Sequence, residues 1–117
     1  MSALAQDFIS QLQLALRRAG THGQLVRPGA ALAPRDVVFL LDHPRTRDEA
    51  IVNAYGVNAL LLTFLASELM ANPPIKFDLV IVGAGPTAQT YALDAVVMRQ
   101  VQDVPVAFTA YVKGKGE

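Results

Sequence analysis

Glycine and proline residues interrupt the chain at short intervals from residue 23 onward, and they limit the length of any regular element that can form there. Intervals this short suit strands, which are commonly about 5 to 6 residues long, better than amphipathic helices. The punctuation therefore predicts a mainly β chain after residue 20. The interrupting residues are Gly23, Pro28, Gly29, Pro34, Pro44, Gly56, Pro73, Pro74, Gly83, Gly85, Pro86 and Pro105.

The first twenty residues follow a different pattern, because their apolar residues recur with helical spacing and no Gly or Pro precedes Gly20. Ser2 can cap a helix over residues 2–19, and Gly20 suits its end. This helix can pack on the chain's own sheet or dock on a partner, and the sequence leaves both open. The residues expected on its apolar face are Leu4, Ala5, Phe8, Leu12, Ala15, Leu16 and Ala19.

Two strands are predicted in the middle of the chain, at Gln24–Arg27 and Asp36–Asp42. The second has apolar residues on both faces, so we expect both faces to be at least partly covered. The last third of the chain resembles a three-stranded meander with a turn at Gly83–Thr87. Its strands are Phe77–Val82, a strand in which Tyr91, Leu93, Ala95 and Val97 share one side, and Val104–Val112.

The segment Asp48–Ala71 fits two interpretations. Its Glu, Ala, Leu and Met residues are good helix formers, so it could be one long helix. Gly56 and Asn58 favour a turn instead, followed by a buried strand at Ala59–Leu65 and at most one helical turn at Ser67–Asn72. We favour the strand.

Composition excludes several classes of protein. The chain has 117 residues, 52% of them hydrophobic and 17% charged, which is typical of a single globular domain. Its formal net charge is +0, so it lacks the excess positive charge of proteins that bind nucleic acid electrostatically. With no cysteine it forms no disulfide and no Cys-ligated zinc site. We find neither a signal-peptide pattern nor an apolar run of about 20 residues, and expect a soluble intracellular protein.

The strongest local motif is FDLVIVGAGPTA at Phe77–Ala88, an apolar strand followed by G-x-G-x-x-A. Flavin and nicotinamide proteins use this pattern to bring a pyrophosphate close to a helix N-terminus. A dinucleotide site also needs an acidic residue on the next strand, but Val104–Val112 contains none. We therefore favour turn conformations for Gly83 and Gly85 between antiparallel strands, and keep a bound FAD or NAD as the alternative.

Other chemistry is sparse. His22 and His43 are each predicted in loops and have no helical His partner, so no metal site is expected. The serines lack the G-x-S-x-G context of a hydrolase nucleophile. Asp42 with Asp48 or Glu49 could form an acid pair, but loop carboxylates are more often solvated or cap turns. We predict no catalytic residues, no cofactor and no enzymatic activity.

Three segments follow the N-terminal helix in a distinctive order: VVFLLDHP at Val37–Pro44, ELMANPPIKFDLVIV at Glu68–Val82, and YALDAVVMRQ at Tyr91–Gln100. Over nearly the whole chain this order resembles the head-tail joining proteins of long-tailed bacteriophages, the neck or stopper proteins of lambda-like type. Their pattern has Asp-Asp-Pro after an early strand and Gly-Asp at the start of a later one. Here His43 replaces the second Asp, and Phe77 stands where the family prefers Gly.

The resemblance implies a small antiparallel β-barrel or sandwich with one N-terminal α-helix. It implies a single domain with helix 2–19, barrel 23–112 and a flexible tail 113–117. It further implies a homo-oligomeric ring, expected as a hexamer, in the virion neck, with the host cytoplasm as the place of assembly. The expected partners are the head connector or adaptor and the tail terminator or tail tube protein, with packaged DNA nearby and no membrane. An unrelated β-rich adaptor module remains an alternative.

By the same analogy the segment Arg45–Asn58 would be an assembly loop. Its first part is charged and its second part is apolar, which is also how an ordinary loop enters a strand. The candidate interface residues are Arg45, Arg47, Asp48, Glu49, Ile51, Val52 and Tyr55.

Overall fold

A computed structural model of the chain describes residues 3–29, 32–42, 60–83 and 85–112. These residues form two helices and seven strands, with a 3₁₀ turn at Gly85–Thr87. The helices are α1 (Ala3–Ala19) and α2 (Ala66–Leu69). The strands are β1 (Thr21–Val26), β2 (Arg35–Asp42), β3 (Leu60–Leu65), β4 (Leu79–Val82), β5 (Gln89–Ala92), β6 (Ala95–Val101) and β7 (Val104–Val112).

The seven strands form one antiparallel sheet in the order β5-β4-β1-β2-β3-β7-β6. β5 and β6 lie at opposite edges of this order, yet only Leu93 and Asp94 separate them in the chain. Leu93 donates to the Asp78 carbonyl at 2.9 Å on the β4 side, and Asp94 donates to the Tyr111 carbonyl at 2.8 Å on the β7 side. The sheet therefore curls until its two edges meet at this bend. This barrel-like sheet with one N-terminal helix confirms the predicted fold class.

Apolar side chains are buried on both faces of the central strands, as predicted for β2. Val37 and Phe39 belong to the core inside the curl, where the Phe39 and Phe64 rings lie 5.5 Å apart. Val38 and Leu40 pack on the other face, beneath α1. The inner core contains Leu25, Val37, Phe39, Leu62, Phe64, Ala66, Leu69, Val80, Leu93, Phe108, Ala110 and Val112.

The structure describes residues 60–71 of the segment that fits either a helix or a strand. Residues 60–65 form strand β3, which pairs with β2 and β7, and α2 is a single helical turn, so the favoured interpretation is confirmed there. Residues 48–59 lie outside the described residues, as do 113–117. Ala66 and Leu69 of α2 join the inner core.

Three predicted strands and one residue predicted in a loop need correction. The middle strand of the expected meander is two strands, because the chain changes pairing partner at Leu93 and Asp94. β4 begins at Leu79 rather than Phe77, whose φ of 77° is incompatible with a strand. β1 begins at Thr21 and ends at Val26, so His22 lies in a strand and not in a loop. The second histidine, His43, lies outside the described residues.

Helix α1 buries only part of its predicted apolar face. Ala5, Leu12 and Leu16 pack against the sheet, whereas Leu4 and Phe8 are 58% and 44% exposed. The helix ends where predicted, and the Gly20 amide donates to the Leu16 carbonyl at 2.9 Å. A Cβ at Gly20 would overlap the Leu16 carbonyl oxygen and lie 2.5 Å from Val38 Cγ1. Glycine is thus required at this helix end by close packing.

The turn between β4 and β5 tests the interpretation of the glycine motif. Gly83 and Gly85 have φ values of 87° and 70°, and a Cβ at either position would meet no atom closer than 3.6 Å.

Replacing each of these glycines by Ala should lower the free energy of unfolding by about 1 kcal/mol through the left-handed conformation alone. Asn, which tolerates that conformation better, should lower it less. Urea denaturation of the four single variants checks the order, and equal effects of Ala and Asn at both positions would contradict it.

Candidate functional site

The most elaborate polar arrangement in the described chain surrounds Asp78, immediately before β4. Its side chain is 1% exposed, and an ionised carboxylate in such a place needs partners. Arg27, which follows β1, supplies them with two parallel bonds: Nε to Oδ1 at 3.0 Å and Nη2 to Oδ2 at 3.1 Å. These bonds raise the pKa of Arg27 above its ordinary value, so the guanidinium stays charged.

Two arginines hold the segment that leads from α2 to Asp78. Arg27 Nη2 also donates to the Pro73 carbonyl at 2.7 Å, and Arg35 Nη1 donates to the Asn72 carbonyl at 2.6 Å. Arg35 lies opposite Leu25 in the pairing of β1 with β2, so both guanidinium groups come from the same end of the sheet. The segment is thereby tied to the sheet through its backbone.

A tight turn connects this segment to β4. The Asp78 amide donates to the Ile75 carbonyl at 3.1 Å, and the Ile75 amide donates to Asp78 Oδ2 at 3.0 Å. Phe77 occupies the third position of the turn with a φ of 77°, as a type II turn requires and as Gly usually supplies. A bulky side chain in this conformation is strained.

The side chains of this turn point outward. Phe77 is 70% exposed and Ile75 is 49% exposed, while Lys76 Nζ lies 5.1 Å from the centre of the Phe77 ring, a cation–π distance. We call these three residues the 75–77 tip. Below it is a depression of about 260 Å³ whose walls include Arg27, Pro28, Gly29 and Asp78. A strained aromatic residue held in solvent by a buried ion pair is the feature most suggestive of contact with another molecule.

A second apolar surface lies between the N-terminal half of α1 and the end of β6. It is a groove of about 360 Å³, which we call the α1–β6 groove. β6 is an edge strand, and its Val97 and Met98 are also exposed. The groove is lined by Leu4, Asp7, Phe8, Gln11 and Val101.

The predicted assembly residues cannot be placed. Arg45, Arg47, Asp48, Glu49, Ile51, Val52 and Tyr55 all lie outside the described residues. β2 ends at Asp42 and β3 begins at Leu60, so the segment that carries them connects two neighbouring antiparallel strands.

Asp78 and Phe77 were missed as site residues, because the alternation of apolar residues placed both in a strand. One signal was present: Asp78 is the acidic residue of the otherwise apolar run Phe77–Val82. Its partner Arg27 is 51 positions away in sequence, and no local pattern links the two.

The glycine motif lacks the surroundings that a dinucleotide site needs. β4 is followed by a 3₁₀ turn and then by the antiparallel strand β5, whereas a pyrophosphate site of this type requires a helix after the strand. Across residues 3–29, 32–42, 60–83 and 85–112 no three His, Asp or Glu side chains converge to hold a metal. In the same ranges we find no helix of sufficient length and apolarity to span a membrane.

Comparison with known proteins gives no relationship. No protein-family model matches the chain, no curated protein is significantly similar to it in sequence, and no solved structure matches it significantly.

The ion pair should matter for stability. Replacing Arg27 by Met should lower the free energy of unfolding by about 3 kcal/mol, because the buried Asp78 carboxylate would lose its charged partner. Arg99 is exposed, and its Nη2 donates to the Tyr111 hydroxyl at 3.3 Å in an exposed contact. The control Arg99→Met should therefore change stability by less than about 0.5 kcal/mol. Equal effects of the two substitutions in chemical denaturation would contradict this role for Arg27.

The strain at Phe77 predicts that Gly is more stabilising than Ala at position 77, the reverse of the usual order of these two residues. Phe77→Gly should be more stable than Phe77→Ala by about 1 kcal/mol, because only Gly adopts this φ without a steric penalty. At Lys76, which has no positive φ, the same pair of substitutions should show the usual order with Ala more stable. Thermal unfolding of the four variants measures both differences, and Ala more stable than Gly at Phe77 would show that the turn is unstrained.

Proposed function

We propose that the chain is a structural protein of the neck of a long-tailed bacteriophage. In this proposal six copies form a ring that joins the DNA-filled head to the tail and surrounds the channel through which DNA leaves. The ring contacts the head connector or adaptor on one side and the tail terminator or tail tube protein on the other. It acts by assembly and carries out no catalysis.

The observation that carries the proposal is the conformation at Phe77 and Asp78. The head-tail joining proteins that the sequence resembles prefer Gly-Asp at this point. Phe77 has a φ of 77°, which is the conformation that explains a preference for Gly, and Asp78 is the buried partner of Arg27. A match between a family motif and the backbone requirement at the same position supports the resemblance beyond the general likeness of fold, which by itself indicates no function.

The surface of the described residues also suits a subunit with neighbours. Among the described residues nine large apolar side chains are exposed, and four of them, Leu4, Phe8, Ile75 and Phe77, belong to the α1–β6 groove or the 75–77 tip. In a protein that acts alone, exposed apolar groups are commonly scattered and need no partner. The formal net charge of +0 is compatible with a channel wall that DNA passes without being bound.

The connection between β2 and β3 remains our candidate for contact with the neighbouring neck proteins. It leaves β2 at Asp42, at the other end of that strand from Arg35, which holds the segment leading to the 75–77 tip. A ring placed between a head and a tail needs contacts at both of its ends. The charged and apolar residues of this connection are suited to one of them.

The proposal predicts that stability and assembly can be separated. Replacing Ile51, Val52 and Tyr55 together by Ser should change the melting temperature of the purified chain little. In a phage that encodes the chain, the same variant should leave filled heads and free tails unjoined, because each large apolar side chain contributes roughly 1.5 to 3 kcal/mol when buried at an interface. Electron microscopy of lysates counts the joined particles.

The matched control keeps the apolar character of the segment: Ile51→Val, Val52→Ile and Tyr55→Phe together should give normal numbers of joined virions. Deletion of the gene should give the same unjoined heads and tails as the Ser variant. Normal virions after deletion would contradict the proposed function. Unfolding of the purified Ser variant would place the segment in the core and remove its assembly role.

A further inference from the structure

We propose that the 75–77 tip of one copy of the chain inserts into the α1–β6 groove of a second copy. The two surfaces share no residue, so a contact between them is heterologous and each copy can both give a tip and receive one. This contact rests on the proposed function in one respect, since it would be the contact that builds the ring. The shape, polarity and charge of the two surfaces support it.

The tip has the properties of an interface anchor. Among the described residues Phe77 is the most exposed large apolar side chain, at 70%, and aromatic residues dominate the binding energy of many interfaces. It is also fixed in place: its amide donates to the Leu93 carbonyl at 2.8 Å, and Asp78 beside it is bound to Arg27. Because the backbone around Phe77 is already ordered, binding loses little conformational entropy.

The groove matches the tip in polarity and charge. Leu4, Phe8 and Val101 offer an apolar lining for the Phe77 and Ile75 side chains. Asp7 is the charged residue of this lining, and it can pair with Lys76 when the tip is seated. The tip thus presents two apolar side chains on either side of Lys76, and the groove presents an apolar lining with the carboxylate of Asp7.

A larger groove on the described surface is a poorer match. It lies at the C-terminal half of α1 and measures about 480 Å³, but Arg17 and Glu68 both line it. Their charges offset each other, so this groove has no net attraction for Lys76. His22 and Gln13 make its wall more polar still. A second copy's tip is therefore expected at the α1–β6 groove.

The absence of cysteine in the sequence allows a direct test by cross-linking. One preparation carries Ile75→Cys at the tip and a second carries Gln11→Cys in the groove, which leaves Lys76, Phe77 and Asp7 intact. The two are mixed at high concentration under mild oxidation, so a disulfide between positions 75 and 11 can form only between copies. The control replaces Gln11→Cys by Gln13→Cys, two residues along the same helix and in the other groove.

The proposal predicts a yield of the 75–11 disulfide roughly tenfold above that of the 75–13 disulfide, since proximity raises the effective concentration of the thiols. Adding Lys76→Glu to the first protein should reduce the yield, and adding Asp7→Lys to the second should restore it. Circular dichroism checks that each variant is folded. An equal or larger 75–13 yield, a predominance of 75–75 disulfides, or no cross-link would each overturn the proposal.

The outcome is separable from that of the proposed function. Unjoined heads and tails after deletion of the gene, together with no 75–11 cross-link, would leave the neck function standing and remove this contact. A strong 75–11 cross-link in a protein whose deletion leaves virions normal would keep the contact and remove the neck function.

Discussion

The buried carboxylate of Asp78 is the group on which the arrangement of the whole sheet end depends. Its two oxygens accept three hydrogen bonds, two from Arg27 and one from the Ile75 amide, which join the end of β1 to the start of β4. Its backbone carbonyl accepts the Leu93 amide at the bend between β5 and β6. One residue therefore links the turn that presents Phe77 to the point where the curled sheet closes.

Strain and stability are coupled through this group. The turn at residues 75–78 forces Phe77 into a conformation that disfavours a bulky residue, and such a conformation persists only where the surroundings fix it. The ion pair and the carbonyl contacts made by Arg27 and Arg35 supply that constraint. A Gly at position 77 would make the turn easier to form, but it would remove the exposed ring. The chain has Phe at this position despite the strain, and the proposed contact of the ring with a second copy accounts for it.

The elements with clear periodicity could be predicted from the sequence, and those fixed by distant contacts could not. Helix α1 follows a helical spacing of apolar residues, and β2, β3 and β7 are predicted from their local runs of apolar residues. The structure places all four close to their predicted bounds. The division of one strand into β5 and β6 is invisible locally, because apolar residues alternate straight through Leu93 and Asp94. The site was missed for the same reason, since the partner of Asp78 lies 51 residues away. The glycine motif is a different case: a pattern shared with nucleotide-binding proteins here serves an antiparallel turn, the interpretation that the surrounding sequence favoured.

We propose that copies of this chain associate through two different surfaces into a closed ring. Native mass spectrometry of the purified full-length chain over a range of concentrations tests it most directly. A heterologous contact that closes should give one discrete oligomer, expected as a hexamer, whose mass stops growing as concentration rises. A chain that stays monomeric at every concentration, or that stops at a two-fold dimer, would contradict the account.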